Sequence, residues 1–299
     1  VCGINFYGEV YCSEISQYFG DGTSLSKVDL PSERFAISID GFNDHVCTIL
    51  DDGSVMCWGN NIYGQLGDGT YTDSYTPVAV NLPAGRTATT LSLGGWHTCA
   101  ILDDKSTMCW GSNNYGQLGD GNAYWGSNTP VALNLPAGRT ATVLEMGYYH
   151  SCAILDDAST MCLGRNNYGQ LGDGTNTNSY TPVAVNLPAG TNATDLELGP
   201  HHSCAILDDA STMCWGYNSY AQLGNGNTTS MNTPVAVSLP VGRTATALEL
   251  GSSHSCAILD DASTMCWGRN HKGQLGNGNT TQMYAPVVAS RIYSSLEIT

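Results

Sequence analysis

Apolar and polar residues alternate along this chain in short runs, and no helical period is sustained anywhere. Residues 244–251 (TATALELG) alternate as a half-buried strand does. Residues 254–259 (HSCAIL) and 264–268 (TMCWG) are two further strand-like runs, joined by a tight Asp-Asp-Ala turn. A loop rich in Gly and Asn fills 269–279, and a fourth strand follows Pro286, seen in fuller form at 182–187 (PVAVNL). The quartet recurs with a period near 52 residues, which takes precedence over any local motif. Four short strands with Gly- and Pro-rich connections predict a propeller blade.

Cysteines mark the same period. The twelve fall into six pairs, ten positions apart within each: Cys2 and Cys12, Cys47 and Cys57, Cys99 and Cys109, Cys152 and Cys162, Cys204 and Cys214, Cys256 and Cys266. An even count at fixed spacing predicts a disulfide framework. If Leu207 faces Ser211 across the turn, Ile206 faces Thr212, Ala205 faces Met213 and Cys204 faces Cys214. Directly opposed residues on antiparallel strands bring their Cβ atoms within bridging range. Zinc fits poorly, because metal-binding cysteines stand two to four residues apart. Lasting disulfides belong to an oxidising compartment, so an extracellular or cell-surface location is expected, with a reduced cytosolic protein as the alternative. Each bridge closes a small loop, worth at most about 3 kcal/mol.

The predicted fold is all-β: one six-bladed propeller of four-stranded antiparallel blades over residues 1–299. Its repeat units are 1–46, 47–98, 99–151, 152–203, 204–255 and 256–299. The chain opens inside the second strand of a unit and ends on Ser295-Leu296-Glu297-Ile298, which matches the first-strand pattern Ala247-Leu248-Glu249-Leu250. That last strand is expected to complete the first blade, either within the chain or on a neighbouring copy. The second arrangement is a heterologous contact that grows a filament. Unit one also departs from the others, with Tyr18-Phe19-Gly20-Asp21 where they carry the GQLG loop.

The runs at 91–102 (LSLGGWHTCAIL) and 248–259 (LELGSSHSCAIL), with the loop at 59–69 (GNNIYGQLGDG) and its counterparts, resemble the regulator of chromosome condensation repeat family. The resemblance covers nearly the whole chain and implies a β-propeller. Family propellers usually have seven blades, so six implies a smaller ring or a missing blade. Family members include a nucleotide-exchange factor, ubiquitin-ligase domains, an ultraviolet-B photoreceptor and a protein inhibitor. The photoreceptor role needs clustered Trp and Arg. The pairs preceding the repeated His vary here, as Gly95-Trp96, Tyr148-Tyr149, Pro200-His201 and Ser252-Ser253, and do not predict it.

A length of 299 residues is ample for a real core. The net charge of −16, from 26 acidic against 10 basic residues, excludes a phosphate-gripping surface over most of the molecule, so no nucleic-acid partner is expected. No apolar stretch approaches a membrane span, and the opening Val1 reads as a mature or trimmed chain.

His45, His97, His150, His202 and His254 hold the same place in five units. One hydrogen-bonding His per blade, tying adjacent strands, explains them better than a ring of metal ligands. Asp51, Asp52, Asp103, Asp104, Asp156, Asp157, Asp208, Asp209, Asp260 and Asp261 sit at the hairpin turns and would form an acidic rim. That is a candidate Ca²⁺ or cationic-partner surface, but Asp also simply suits turns, and no D-x-D-x-D-G loop is present, so no metal or cofactor is expected. Asp68, Asp120 and Asp173 exchange with Asn225 and Asn277 before Gly, as turn residues do. Tyr63, Tyr115, Tyr168 and Tyr220 have the chemistry to stack on glycans, though packing within the loop accounts for them. Trp58, Trp110, Trp215 and Trp267 follow the second cysteine, with Leu163 standing in once, which marks a packing position. Asn192, Asn227 and Asn279 open N-x-S/T acceptors. No nucleophile elbow, phosphate-cradling loop or lone cysteine points to catalysis. The expected function is therefore a secreted or cell-surface scaffold, structural or adhesive, whose partners are itself or other extracellular proteins. The alternative is a ligand-binding module, a lectin or protein inhibitor, using one face of the disc.

Overall fold

The computed structural model describes residues 2–13 and 25–289, all β-strands and connections with no helix among them. The first sheet is β1 (Cys2–Ile4), β2 (Val10–Ser13) and β3 (Leu25–Lys27). The second is β4 (Ala36–Phe42), β5 (His45–Leu50), β6 (Val55–Gly59) and β7 (Ser74–Ala79). The third is β8 (Ala88–Leu93), β9 (His97–Leu102), β10 (Thr107–Ser112) and β11 (Gly126–Ala132). The fourth is β12 (Ala141–Met146), β13 (His150–Leu155), β14 (Thr160–Gly164) and β15 (Ser179–Ala184). The fifth is β16 (Ala193–Leu198), β17 (His202–Leu207), β18 (Thr212–Gly216) and β19 (Met231–Ala236). The sixth is β20 (Ala245–Leu250), β21 (His254–Leu259), β22 (Thr264–Gly268) and β23 (Met283–Val288). Strands pair in chain order within every sheet, all antiparallel, and the fold is a six-bladed propeller. Sheets two to six have four strands each, and the first has three among the described residues. Its anticipated fourth strand, Ser295 to Ile298, lies outside them, as do Tyr18 to Asp21.

Local chemistry sets the hairpin register. In sheet five the Leu207 N–H donates to the Ser211 carbonyl, and the Ala210 N–H donates to the Leu207 carbonyl. Ala210 takes the left-handed conformation (φ 66°) that closes a three-residue turn. Ile206 then faces Thr212, Ala205 faces Met213 and Cys204 faces Cys214. The Cys204 and Cys214 Cα atoms stand 4.1 Å apart, and the two are disulfide-bonded. The other five pairs are bonded in the same way.

The core lies between sheets rather than within them. Cys204, Ile206, Cys214, Leu223 and Val237 of the fifth blade pack on Leu248, Leu250, Ala257, Leu259 and Trp267 of the sixth. The same set recurs at the preceding junctions, so the disulfides themselves form part of the apolar filling. Innermost strands β4, β8, β12, β16 and β20 touch in sequence around the axis. Beyond sheet six the covering is missing among the described residues. Ile258 is 47% exposed, against 7% for its counterpart Ile206. A groove of about 300 Å³ opens there between Leu248, Cys256, Ile258 and Thr264.

Candidate functional site

The repeated histidines tie blades together, which corrects the expectation that they tie adjacent strands. His97 Nε2 lies 2.8 Å from Ser151 Oγ of the next blade, and Ser151 donates its single proton to the Gln117 carbonyl at 3.0 Å. His97 therefore carries its proton on Nε2 and donates. His45 to Thr98, His150 to Ser203 and His202 to Ser255 repeat the link at 2.9, 3.0 and 2.9 Å. A Cβ on Gly94 would fall 2.3 Å from His97 Cε1, which is why Gly stands three residues ahead of the His. Trp110, Trp215 and Trp267 donate their indole N–H to the carbonyls of Gln65, Gln170 and Gln222 in the preceding unit. This is a structural network whose Nε2, hydroxyl and indole groups are spent on one another, while the Nδ1 atoms of His45, His97, His150 and His202 are buried without a hydrogen-bond partner among the described residues.

The aspartate turns are spent locally as well. The second Asp accepts from the Ser two residues on, as Asp104 does from the Ser106 hydroxyl at 2.6 Å, and this bond holds its carboxyl below the usual range. The first Asp accepts a backbone N–H from the preceding connection, as Asp103 does from Thr87 at 3.2 Å. Arg34, Arg86, Arg139 and Arg243 each span both carboxylates of a turn. In sheet five Thr191 stands at the Arg position, and Asn192, one residue on, donates its side-chain N–H to Asp208 at 3.0 Å. Among the described residues no three His, Cys, Asp or Glu side chains are grouped to hold a metal ion. In the long loops, Asn61 spans the turn from Asp68 to Thr72, and Asn113, Asn166, Asn218 and Asn270 repeat it.

One cluster was not singled out from the sequence. Asp40, Ser92, Glu145, Glu197 and Glu249 occupy one register position on the innermost strands, each opposite the first cysteine of its sheet. The signal was present as a polar residue between two apolar ones in that strand, as in Leu-Glu-Leu. Desolvation first, then mutual repulsion, pushes Glu145 and Glu197 up to about 8. Asp40 is raised by burial, although its Oδ2 accepts the Leu93 N–H at 2.8 Å.

These groups set opposite pH limits. Burial lowers His45, His97 and His202 to about 3 from 6.5, and it lowers His150 well below its ordinary value too. The unfolded chain binds these protons first, so stability is full above pH 6.5 and drains as pH falls toward 3. Glu145 and Glu197 hold protons in the folded state that the unfolded chain releases from 4.5, so stability drains as pH rises from 4.5 to about 8. Between 4.5 and 6.5 the four histidines outweigh the two glutamates, which places the maximum near pH 6.5. The Glu145→Gln, Glu197→Gln pair is expected to flatten the alkaline limb by about 1–3 kcal/mol and leave the acid limb in place. Guanidinium unfolding midpoints across pH 4 to 9 check this.

An aromatic surface covers the other end of the blades. In an antiparallel blade the connection from first to second strand and that from third to fourth emerge at one end, with the aspartate turns at the opposite end. Trp96, Tyr148-Tyr149 and His201 come from the first kind of connection, and Tyr63, Tyr115, Tyr168 and Tyr217 from the second. Their rings form one edge-to-face and tilted network: Tyr63 to Trp96 at 5.6 Å, Trp96 to Tyr148 at 6.3 Å, Tyr148 to His201 at 6.0 Å and Tyr168 to Tyr217 at 4.7 Å between centroids. Tyr63 thus packs across blades, to Trp96 and Trp125, rather than only within its own loop. Sequence reading missed the network because each position varies from unit to unit.

The RCC1-like domain family model matches residues 7–298. Ultraviolet-B receptor UVR8 of Arabidopsis thaliana is 27% identical over 246 residues, covering 82% of this chain and 56% of that protein. E3 ubiquitin-protein ligase HERC2 of Homo sapiens is 24% identical over 251 residues, covering 84% of this chain and 5% of that protein. The chain thus spans about half of one relative and a small part of the other. Yeast RCC1 (Prp20), solved with Kap60, aligns with a TM-score of 0.84 at 16% identity over 98% of this chain and 73% of that one. Human WBSCR16 gives 0.82 at 20% identity over 94% and 76%. The CRINKLY WD40 ectodomain of the Arabidopsis thaliana receptor kinase ACR4 gives 0.53 at 18% identity over 89% and 75%. At these identities the structural likeness carries the fold.

Proposed function

The chain belongs to the RCC1-like domain family, and on that premise we propose that it is a non-enzymatic protein-interaction scaffold working outside the cytosol. Its role is structural or adhesive, assembling with copies of itself or with other surface proteins. The observation that carries this reading is that all twelve cysteines are consumed in six cross-links, one per blade. Such a framework suits an oxidising compartment and durability. The likeness to a receptor-kinase ectodomain is compatible with that placement. Assembly draws support from the ends of the blade series: among the described residues sheet one lacks an inner strand and no strand covers the side of sheet six. A strand such as Ser295 to Ile298, from this chain or a sister, has the pattern to fill that place. Electron microscopy and mass photometry of the native protein test it. Assemblies that dissociate on removal of residues 290–299 are expected, and single monodisperse discs at every concentration would contradict the assembly reading.

Secretion also predicts glycan. Asn227 and Asn279 are exposed in long loops, whereas the Asn192 side chain is held by Asp208 at the start of β16. Eukaryotic expression is expected to add glycan at Asn227 or Asn279 in preference to Asn192. Peptide-N-glycosidase treatment followed by mass mapping reads the occupied sites. A ligand-binding module remains the second reading, favoured by the aromatic end of the disc.

A further inference from the structure

The basic residues divide between the two ends of the blades. At the turn end Arg34, Arg86, Arg139 and Arg243 each meet two aspartates. At the aromatic end Arg165 and Arg269 pair with no carboxylate among the described residues. Arg165 lies 5.2 Å from the Tyr115 centroid and 5.8 Å from those of Tyr149 and Tyr168. Arg269 lies 4.6 Å over Tyr220. In a chain of net charge −16, guanidinium groups kept apart from carboxylates need an account. A guanidinium stacked on a ring keeps its in-plane N–H groups free for bidentate pairing with a carboxylate.

The rings beside them are built to receive such a partner. Trp125 is 54% exposed and Tyr71 46%, and both join the half-buried network through Tyr63. Trp, Tyr and Arg are the side chains that dominate binding energy at protein interfaces. Rings already packed on one another lose little conformational freedom when a partner lands.

We propose that this face, over sheets two to six, docks a protein segment in which carboxylates stand beside aromatic or branched aliphatic side chains. The inference rests on the protein-interaction reading above but on neither self-assembly nor location. Panning the intact, oxidised chain against a phage-displayed random dodecapeptide library tests it. Peptides holding Asp or Glu next to Trp, Phe, Leu or Ile are expected to enrich. Their affinity should drop at least tenfold on Trp125→Ala and on Arg165→Gln, weaken as salt rises, and hold on Val241→Ser, an exposed change at the opposite end. Arg269→Gln gives a second reading that leaves the Arg165 packing intact, and an unchanged disulfide map shows that each variant folds. No enrichment, a neutral or basic consensus, peptides that bind both variants undiminished, or binding only on a glycan array would each overturn the proposal. Because monomeric chain suffices for panning, a failed assembly experiment leaves this result standing, and the reverse.

Discussion

Replacing Trp215 by Ala is expected to cost about 3–5 kcal/mol of stability, the range for emptying a buried aromatic site. Trp215 is fully buried between sheets four and five, against Leu171, Val185, Leu196 and Leu198. Its indole N–H reaches the Gln170 carbonyl at 2.9 Å, and the Ser203 hydroxyl donates to the same oxygen at 3.0 Å. That oxygen keeps one donor in the variant, so most of the cost is the cavity rather than an orphaned acceptor. Trp215→Leu is expected to cost less, about 1–2 kcal/mol, because Leu163 fills the equivalent place between sheets three and four. Guanidinium denaturation of the oxidised proteins ranks the three. A Trp215→Ala variant as stable as the parent would mean that the junctions between sheets are not the core.

Reduction of all six disulfides is expected to abolish the fold. At up to about 3 kcal/mol per bridge, their combined contribution is on the scale of the 5–15 kcal/mol by which a domain is normally stable. The bridges should not yield together. Cys47, Cys57, Cys99, Cys109, Cys152, Cys162, Cys204 and Cys214 are fully buried, whereas Cys2 and Cys256 are partly exposed in the two terminal sheets. Dithiothreitol under native conditions should therefore open the Cys2 and Cys256 bridges first, while circular dichroism still reports sheet. The four central bridges should follow only as the sheet signal collapses. Simultaneous reduction of all six at constant sheet content would show that the inner sheets are open to solvent.

The amount of this architecture that was legible in the sequence follows from where its determinants lie. Hairpin register depends on neighbours a few residues apart, so the spacing from Cys204 to Cys214 and the Asp-Asp-Ala turn suffice to place the strands. Contacts between blades join residues some fifty positions apart, and their direction is invisible in one repeat. His97 therefore read as a tie within its own blade, although its hydroxyl partner Ser151 sits in the next. The glutamates of the innermost strands passed unremarked because Glu145 and Glu197 look like solvent-facing residues of alternating strands until those strands are brought around an axis. The aromatic face is collective: Trp96, Tyr148 and His201 look unrelated in a repeat alignment and meet only in space.

Intact mass and a peptide map of the native chain, alkylated before and after reduction, test the central claim most directly. Six cross-linked blades predict no alkylation before reduction and twelve alkyl groups after it, with every linked peptide joining cysteines ten residues apart. Alkylated cysteines in the unreduced native protein, or a bridge running from one repeat to another, would contradict it.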